Sequence, residues 1–166
     1  MKLARNLERL GTESAFSILA EAKKLEAQGK EMIHLGLGQP DFKTPQHVVD
    51  AAKKALDDGH HGYVLSNGIL ECRQAVTRKI KKLYNKDVDP ERVLIMPGGK
   101  PTMFYAISIF GEEGAEIIHP TPGFPIYESM INYSGSKAVP YDLTQDKDLK
   151  FDPEKILSLI TDKTRL

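Results

Sequence analysis

The stretch DPERVLIMPGGKPTMFYAI, residues 89–107, carries the strongest indication of the fold class. It begins with a turn, continues as a short apolar strand over Val93–Met96, and passes through two glycines into a helix that runs to Phe110. The same rhythm is predicted further along: a strand over Ala115–His119, a helix over Phe124–Tyr133, a strand over Lys137–Leu143 and a helix over Asp152–Ile160. Alternating strands and helices are typical of a parallel sheet with helices on its faces, so we predict an α/β fold.

The N-terminal half is predicted to be mainly helical. Helices are expected over Ser14–Gln28, after Thr44-Pro45 and over Ile69–Tyr84, and a strand is expected over Met32–Leu35. The second helix should bury a stripe formed by Val48, Val49, Ala52 and Leu56. At the other end, Thr164–Leu166 has the character of a strand that is beginning, so we expect the βα pattern to be truncated there.

Composition excludes several classes of function. The 166 residues hold 23 Lys and Arg against 23 Asp and Glu, so the chain has none of the basic excess that nucleic-acid binders carry. No apolar run reaches membrane-spanning length. The single cysteine, Cys72, excludes an internal disulfide and suits the cytoplasm, and we expect it to be a buried structural thiol. The five histidines lack the spacing of metal ligands, so no metal is predicted.

The loop Gly36–Asp41 follows the first predicted strand, and ligands bind beyond the carboxyl ends of strands in open α/β sheets. A dinucleotide-binding loop requires a third glycine where this chain has Asp41, so a nicotinamide oxidoreductase is disfavoured. Two interpretations stay equal from the residues alone: a plain turn, or a glycine-lined backbone that approaches a ligand closely.

The loop Pro97–Thr102 leads into a helix. It is not a nucleoside-triphosphate loop, because Pro101 follows Lys100 where serine or threonine is required. The unpaired amides and the positive dipole end of a helix start nevertheless favour an anion such as phosphate. An ordinary βα turn explains the glycines equally well.

The loop Thr121–Tyr127 places Phe124 directly before Pro125. A rigidly held aromatic residue just beyond a strand can stack on a planar ring. Taken alone, packing at the start of the next helix is the better explanation of Phe124.

Four segments together resemble the class I and II aminotransferases, the aspartate aminotransferase-like branch of the fold-type I enzymes that depend on pyridoxal phosphate. They are LGLGQPDFKTP at 35–45, HGYVLSNGILECRQAV at 61–76, DPERVLIMPGGKPTMFYAI at 89–107 and HPTPGFPIYESM at 119–130. The resemblance runs from about residue 14 to the end of the chain. It implies amino-acid and 2-oxo-acid substrates, pyridoxal 5′-phosphate as cofactor and a homodimer, while the charge balance and the short apolar runs predict no nucleic-acid or membrane partner.

The resemblance also implies roles for five residues. The backbone amides of Gly99 and Lys100 would hold the cofactor phosphate, and Phe124 would lie over the pyridine ring. Tyr63 would reach the phosphate of the partner subunit's cofactor, and Gly38 would contact the substrate carboxylate.

The resemblance further implies how the chain is divided. Residues 1–44 would form the N-terminal arm and part of the small domain, and residues 45–166 the first half of the large cofactor-binding domain. The family's Schiff-base lysine comes later than the segments matched here, so no catalytic residue is assigned and we expect these 166 residues alone to be inactive. The alternatives are a non-catalytic short form that pairs with a full-length subunit, or another fold-type I activity such as a lyase or synthase.

Overall fold

The structure, a computed structural model, describes residues 2–11, 14–143 and 151–166. The helices are α1 (Ser14–Ala27), α2 (Gln46–Asp57), α3 (Leu70–Tyr84), α4 (Gly99–Phe110), α5 (Ile126–Ser134) and α6 (Pro153–Leu157). The strands are β1 (Glu116–Thr121) and β2 (Lys137–Asp142), and short 3-10 helices cover Arg5–Arg9 and Pro90–Arg92. The six predicted helices are therefore confirmed, most of them to within two residues at each end.

The sheet is parallel, as the alternating pattern predicts. β1 and β2 pair from Glu116 opposite Lys137 to Thr121 opposite Asp142. The last residues of the chain pair with the other edge of β1: the Arg165 N–H donates to the Glu116 carbonyl at 2.9 Å, and the Ile118 N–H donates to Leu166. This third segment also runs parallel to β1, through an isolated bridge between Glu116 and Thr164, so the residues predicted to begin a strand do approach the sheet without forming a ladder.

The core lies between this sheet and the helices that connect to it. Ile117 of β1 packs with Ile107 of α4 and with Met130 and Ile131 of α5. Ile131 is completely buried, and burying one such aliphatic side chain contributes about 1.5–3 kcal/mol. Because α5 packs against β1, β2 and α4, this core fixes the loop between β1 and α5, which carries Phe124.

The chain forms two compact units. The sheet unit comprises Met1–Leu37 and Gly98–Leu166, and the helical unit comprises Gly38–Pro97. The predicted domain division at residue 44 refers to the complete family fold, and it stays a prediction.

Two predicted strands are wrong. Neither Met32–Leu35 nor Val93–Met96 forms a ladder with any part of the chain that the structure describes. Leu35 keeps 89% of its surface exposed, and the second segment is held by a hydrogen bond from the Ile95 N–H to the Asn67 carbonyl at 3.1 Å. Apolar runs of this kind become strands only where another strand offers an edge to pair with.

The helical unit is organised around a buried arginine. Arg73 of α3 is 2% exposed. Its Nε donates to the Gly68 carbonyl at 3.1 Å, and its Nη1 donates to the Pro90 carbonyl at 3.0 Å and to Glu91 Oε1 at 2.7 Å. The neighbouring Cys72, which was predicted to be buried, is only partly buried. The side chain that α3 places inside this unit is therefore the charged one.

Glu116 of β1 links β2 and the turn that precedes Thr164 through its carboxylate. Oε1 accepts from Lys137 Nζ at 2.9 Å and Oε2 accepts from Thr161 Oγ1 at 2.7 Å. These hydrogen bonds, first that from Lys137 and then that from Thr161, hold the pKa of Glu116 below its ordinary value of 4.5, against the opposing effect of burial.

Because the pKa is lowered in the folded state, Glu116 should stabilise the sheet unit above pH 4.5, and this contribution should be lost as the pH falls through the folded pKa. Urea unfolding between about pH 6 and about pH 3 should show a smaller acid dependence in Glu116→Gln than in the wild type. The exposed Glu113→Gln is the control and should keep the wild-type dependence. An E116Q variant as acid-sensitive as wild type would contradict this assignment.

Candidate functional site

The start of α4 has a backbone conformation that requires glycine. Gly98, directly before the helix, has φ 97° and ψ 174°, a region that residues with a side chain rarely adopt. Thr102 Oγ1 donates to the Gly98 carbonyl at 3.3 Å, which fastens the first turn. The first amides of a helix have no carbonyl acceptor within the helix, and the helix dipole is positive there. The position therefore suits a negatively charged ligand.

The backbone at this turn is also open. A Cβ placed on Gly98 or on Gly99 would meet no atom within 4 Å. The proline at position 101 lacks an N–H and fixes φ at a helical value, which favours the first turn of a helix. The turn thus combines free space with a fixed orientation of its amides.

Phe124 is in contact with the side chain of Lys100, which belongs to the first turn of α4. Lys100 Nζ is 5.7 Å from the centroid of the Phe124 ring, and the ring is half-buried. Tyr127 packs against Phe124 at nearly a right angle, with 6.0 Å between ring centroids. The loop that leads to Phe124 contains a cis peptide bond between Thr121 and Pro122. The structure therefore brings the side chains of two predicted site residues, Lys100 and Phe124, together, and Gly99 directly precedes Lys100 in the first turn of α4.

Phe16 of α1 joins this group, and it was not among the site residues predicted from the sequence. Lys100 Nζ lies 5.2 Å from the centroid of the Phe16 ring. The only sequence signal was the apolar position of Phe16 in a helical pattern, and such positions are usually explained by packing.

The other two predicted residues, Gly38 and Tyr63, belong to the helical unit. Tyr63 is fully exposed on the loop between α2 and α3. A Cβ on Gly38 would meet nothing within 4 Å, so its backbone is open. The roles assigned to these two residues stay predictions.

The described residues offer neither a metal site nor a membrane-spanning helix. Over residues 2–11, 14–143 and 151–166, no group of three or more His, Cys, Asp or Glu side chains could hold a metal ion. Over the same ranges, no helix is both long and apolar enough to cross a membrane.

Comparison with known proteins identifies the family. The family model described as "Aminotransferase class I and II" matches residues 30–166. The chain belongs to this family. This family in general depends on pyridoxal phosphate, and the turn at Gly98-Gly99 and the ring of Phe124 lie within the matched residues.

Individual aminotransferases agree with this assignment. The aspartate aminotransferase of Bacillus subtilis is 33% identical over 165 residues, which is 99% of this chain and 42% of that protein. A (5-formylfuran-3-yl)methyl phosphate transaminase of Methanocaldococcus jannaschii is 34% identical over 98% of this chain and 42% of its own length. The chain therefore spans less than half the length of these aminotransferases.

A solved aminotransferase structure has the same fold. The aspartate aminotransferase from Thermus thermophilus with maleate superposes with a TM-score of 0.90 at 30% identity, over 99% of this chain and 43% of that one. The prediction of a fold-type I architecture is thereby confirmed for the part of the fold that this chain contains.

Proposed function

We propose that this chain is the cofactor-anchoring part of a pyridoxal-phosphate-dependent aminotransferase, which moves an amino group between an amino acid and a 2-oxo acid. The observation that carries the proposal is that Lys100, in the first turn of the helix that begins openly at Gly98 and Gly99, places its ammonium 5.7 Å from the centroid of the Phe124 ring. A phosphate and a flat aromatic ring are the two recognisable parts of pyridoxal 5′-phosphate, and these residues suit one each.

The phosphate is assigned to the first turn of α4. The backbone amides of Gly99 and Lys100 are the proposed donors, and the positive end of the helix dipole favours the dianion. The Lys100 side chain adds a full positive charge beside this turn. When bound, the cofactor supplies an electron-withdrawing ring that stabilises the negative charge formed at the substrate's α-carbon.

The pyridine ring is assigned to Phe124. An aromatic side chain held between a strand and a helix offers a flat surface at a fixed place, which orients a planar ligand with little loss of side-chain entropy. The contact with Tyr127 limits rotation of the Phe124 ring.

The remaining roles concern the substrate and the second subunit. We assign the substrate carboxylate to the open backbone at Gly38. The exposed Tyr63 is assigned to the phosphate of the partner subunit's cofactor, which requires a homodimer. We also propose that residues 1–44 precede the large domain of the family fold. A cytoplasmic location belongs to the same proposal.

None of the chain's residues is assigned to proton transfer at the substrate. We therefore expect the 166-residue chain to bind the cofactor's phosphate and ring without transaminating. Conversion of an amino acid to its 2-oxo acid by the purified chain would contradict this expectation.

The proposal is tested by replacing Phe124 with leucine. The probe is 4′-deoxypyridoxine 5′-phosphate, which has the phosphate and the ring but lacks the aldehyde that reacts with lysines, and inorganic phosphate serves as the second probe. Loss of ring stacking should weaken binding of the first probe about two- to tenfold, because such contacts contribute about 0.5–1.5 kcal/mol. Binding of inorganic phosphate, measured by calorimetry, should weaken clearly less than binding of the first probe, because inorganic phosphate loses only the contact of Phe124 with the Lys100 ammonium.

Phe151→Leu is the matched control. Phe151 also contacts an aromatic ring, that of Tyr141 at 6.2 Å, and has no proposed ligand. F151L should bind both probes like the wild type. An F124L variant that loses both probes equally, or neither, would contradict the ring-stacking role of Phe124.

A further inference from the structure

The Lys100 ammonium lies between two aromatic rings that come from different parts of the chain. Phe16 of α1 contributes one ring, at 5.2 Å, and Phe124 contributes the other, at 5.7 Å. Both distances are within the range of about 6 Å in which the negative face of an aromatic ring attracts a cation. Because Phe16 keeps 53% of its surface exposed, apolar burial explains only part of its placement.

Attraction to two rings changes what a lysine can contribute to a phosphate site. A lysine side chain has a long flexible stem, so ordering its ammonium costs side-chain entropy whenever it binds an anion. An ammonium that two aromatic rings already hold has lost part of that freedom before the anion arrives. A helix start beside such a lysine therefore has a preorganised positive charge in addition to its amides.

The two rings are not equivalent under the proposed function. A pyridine ring stacked on Phe124 competes with Lys100 for the face of that ring. Phe16 is assigned no contact with the cofactor ring, so its face stays available to the ammonium when Phe124 is covered.

We propose that Phe16 is a positioning residue of the phosphate site, which holds the Lys100 ammonium beside the first turn of α4. The inference rests on the proposed function, because it requires a phosphate monoester at that turn. Phe16 acts through Lys100 and touches neither the phosphate nor the ring.

The contact itself is tested without a ligand. In a chain labelled with ¹³C-lysine, the two aromatic rings should shift the Lys100 ε-methylene signals upfield through their ring currents. Phe16→Leu should remove part of that shift. Phe110→Leu is the control, since Phe110 is also half-exposed at 48% and lies at the opposite end of α4. Lys100 signals that are identical in F16L and in the wild type would overturn the proposal.

Binding is tested with 4′-deoxypyridoxine 5′-phosphate in a double-mutant cycle. F16L should weaken binding about two- to fivefold, the size expected of one exposed cation–π contact. Phe16→Trp should restore it, because tryptophan binds cations best. In the Lys100→Met background, F16L should have no further effect. Equal weakening in both backgrounds, or F16W binding as poorly as F16L, would show that Phe16 does not act through Lys100.

The outcomes separate this inference from the proposed function. A wild-type chain that binds the probe, together with an F16L variant that binds equally well, contradicts the role of Phe16 alone. A wild-type chain that binds neither this probe nor inorganic phosphate contradicts the proposed function and, with it, the phosphate role of Phe16.

Discussion

Replacing Arg73 by methionine is expected to lower the free energy of unfolding of the helical unit by about 2–4 kcal/mol. Methionine fills similar space but donates no hydrogen bond. The carbonyls of Gly68 and Pro90, which accept from Arg73 at 3.1 and 3.0 Å, would lose a charged donor. The lost pair with Glu91 adds less, because Glu91 is 68% exposed and its carboxylate can return to water.

Urea unfolding and hydrogen exchange of the Ile95 amide, which donates to the Asn67 carbonyl, measure this effect. Arg73→Lys should be intermediate, because an ammonium cannot donate in the forked geometry of a guanidinium. The exposed Arg78→Met on the same helix is the control and should change little. The assignment would be wrong if R73M were as stable as R78M.

Arg73 also affects the loop that carries Tyr63. That loop ends at Gly68, which has φ +95°, and a Cβ there would lie 2.7 Å from an Ile95 side-chain atom. The end of the loop is thus fixed by Arg73 on one side and by Ile95 on the other. We therefore expect R73M to loosen the loop as well as to destabilise the unit.

Replacing Gly98 by alanine is expected to weaken binding of 4′-deoxypyridoxine 5′-phosphate at least about tenfold. Alanine at φ 97° and ψ 174° is strained, by about 1–3 kcal/mol. Relief of this strain would rotate the peptide between Gly98 and Gly99 and so redirect the first amides of α4. Calorimetric titration of the variant measures the loss.

Gly114→Ala is the matched control for this strain. Gly114 has φ +88° and open space around it, as Gly98 does, but it lies in the turn before β1. G114A should lose stability without losing affinity for the probe. Equal loss of affinity in the two variants would show that G98A acts through stability alone.

The helices and their ends were predictable because their signals are local. Gly29 follows α1 with φ +82°, and Asn85 ends α3 with φ 52°. Two glycines and a proline likewise place the start of α4. The wrong strands, Met32–Leu35 and Val93–Met96, failed because strand formation depends on a partner distant in sequence, which local periodicity does not reveal.

The hydrophobic periodicity of a helix predicts which of its faces is apolar, but it does not predict which surface packs against that face. The stripe of α2 was expected to be buried, yet Val48 and Leu56 are 46% and 68% exposed within this chain. The amphipathic pattern of α2 is real, but nothing in its sequence specifies the surface against which it packs.

Two side chains that matter were not singled out from the sequence, Arg73 and Phe16, and each contacts groups outside its own helix. Arg73 lies four residues after Ile69 and seven before Ile80, which is the spacing of one helix face. This spacing on the apolar face of α3 was the available sequence signal that Arg73 is buried. Its acceptors are mainly backbone carbonyls, which every residue has and no sequence pattern marks. Phe16 meets Lys100 only through the tertiary fold.

An NMR titration of the ¹⁵N-labelled chain with 4′-deoxypyridoxine 5′-phosphate addresses the assignment of phosphate and ring together. The amides of Gly99, Lys100 and Thr102 and the ring signals of Phe124 should shift in a saturable manner, and inorganic phosphate should shift only the amides. Saturable shifts confined to other residues, or none at these four, would contradict a cofactor site at the start of α4.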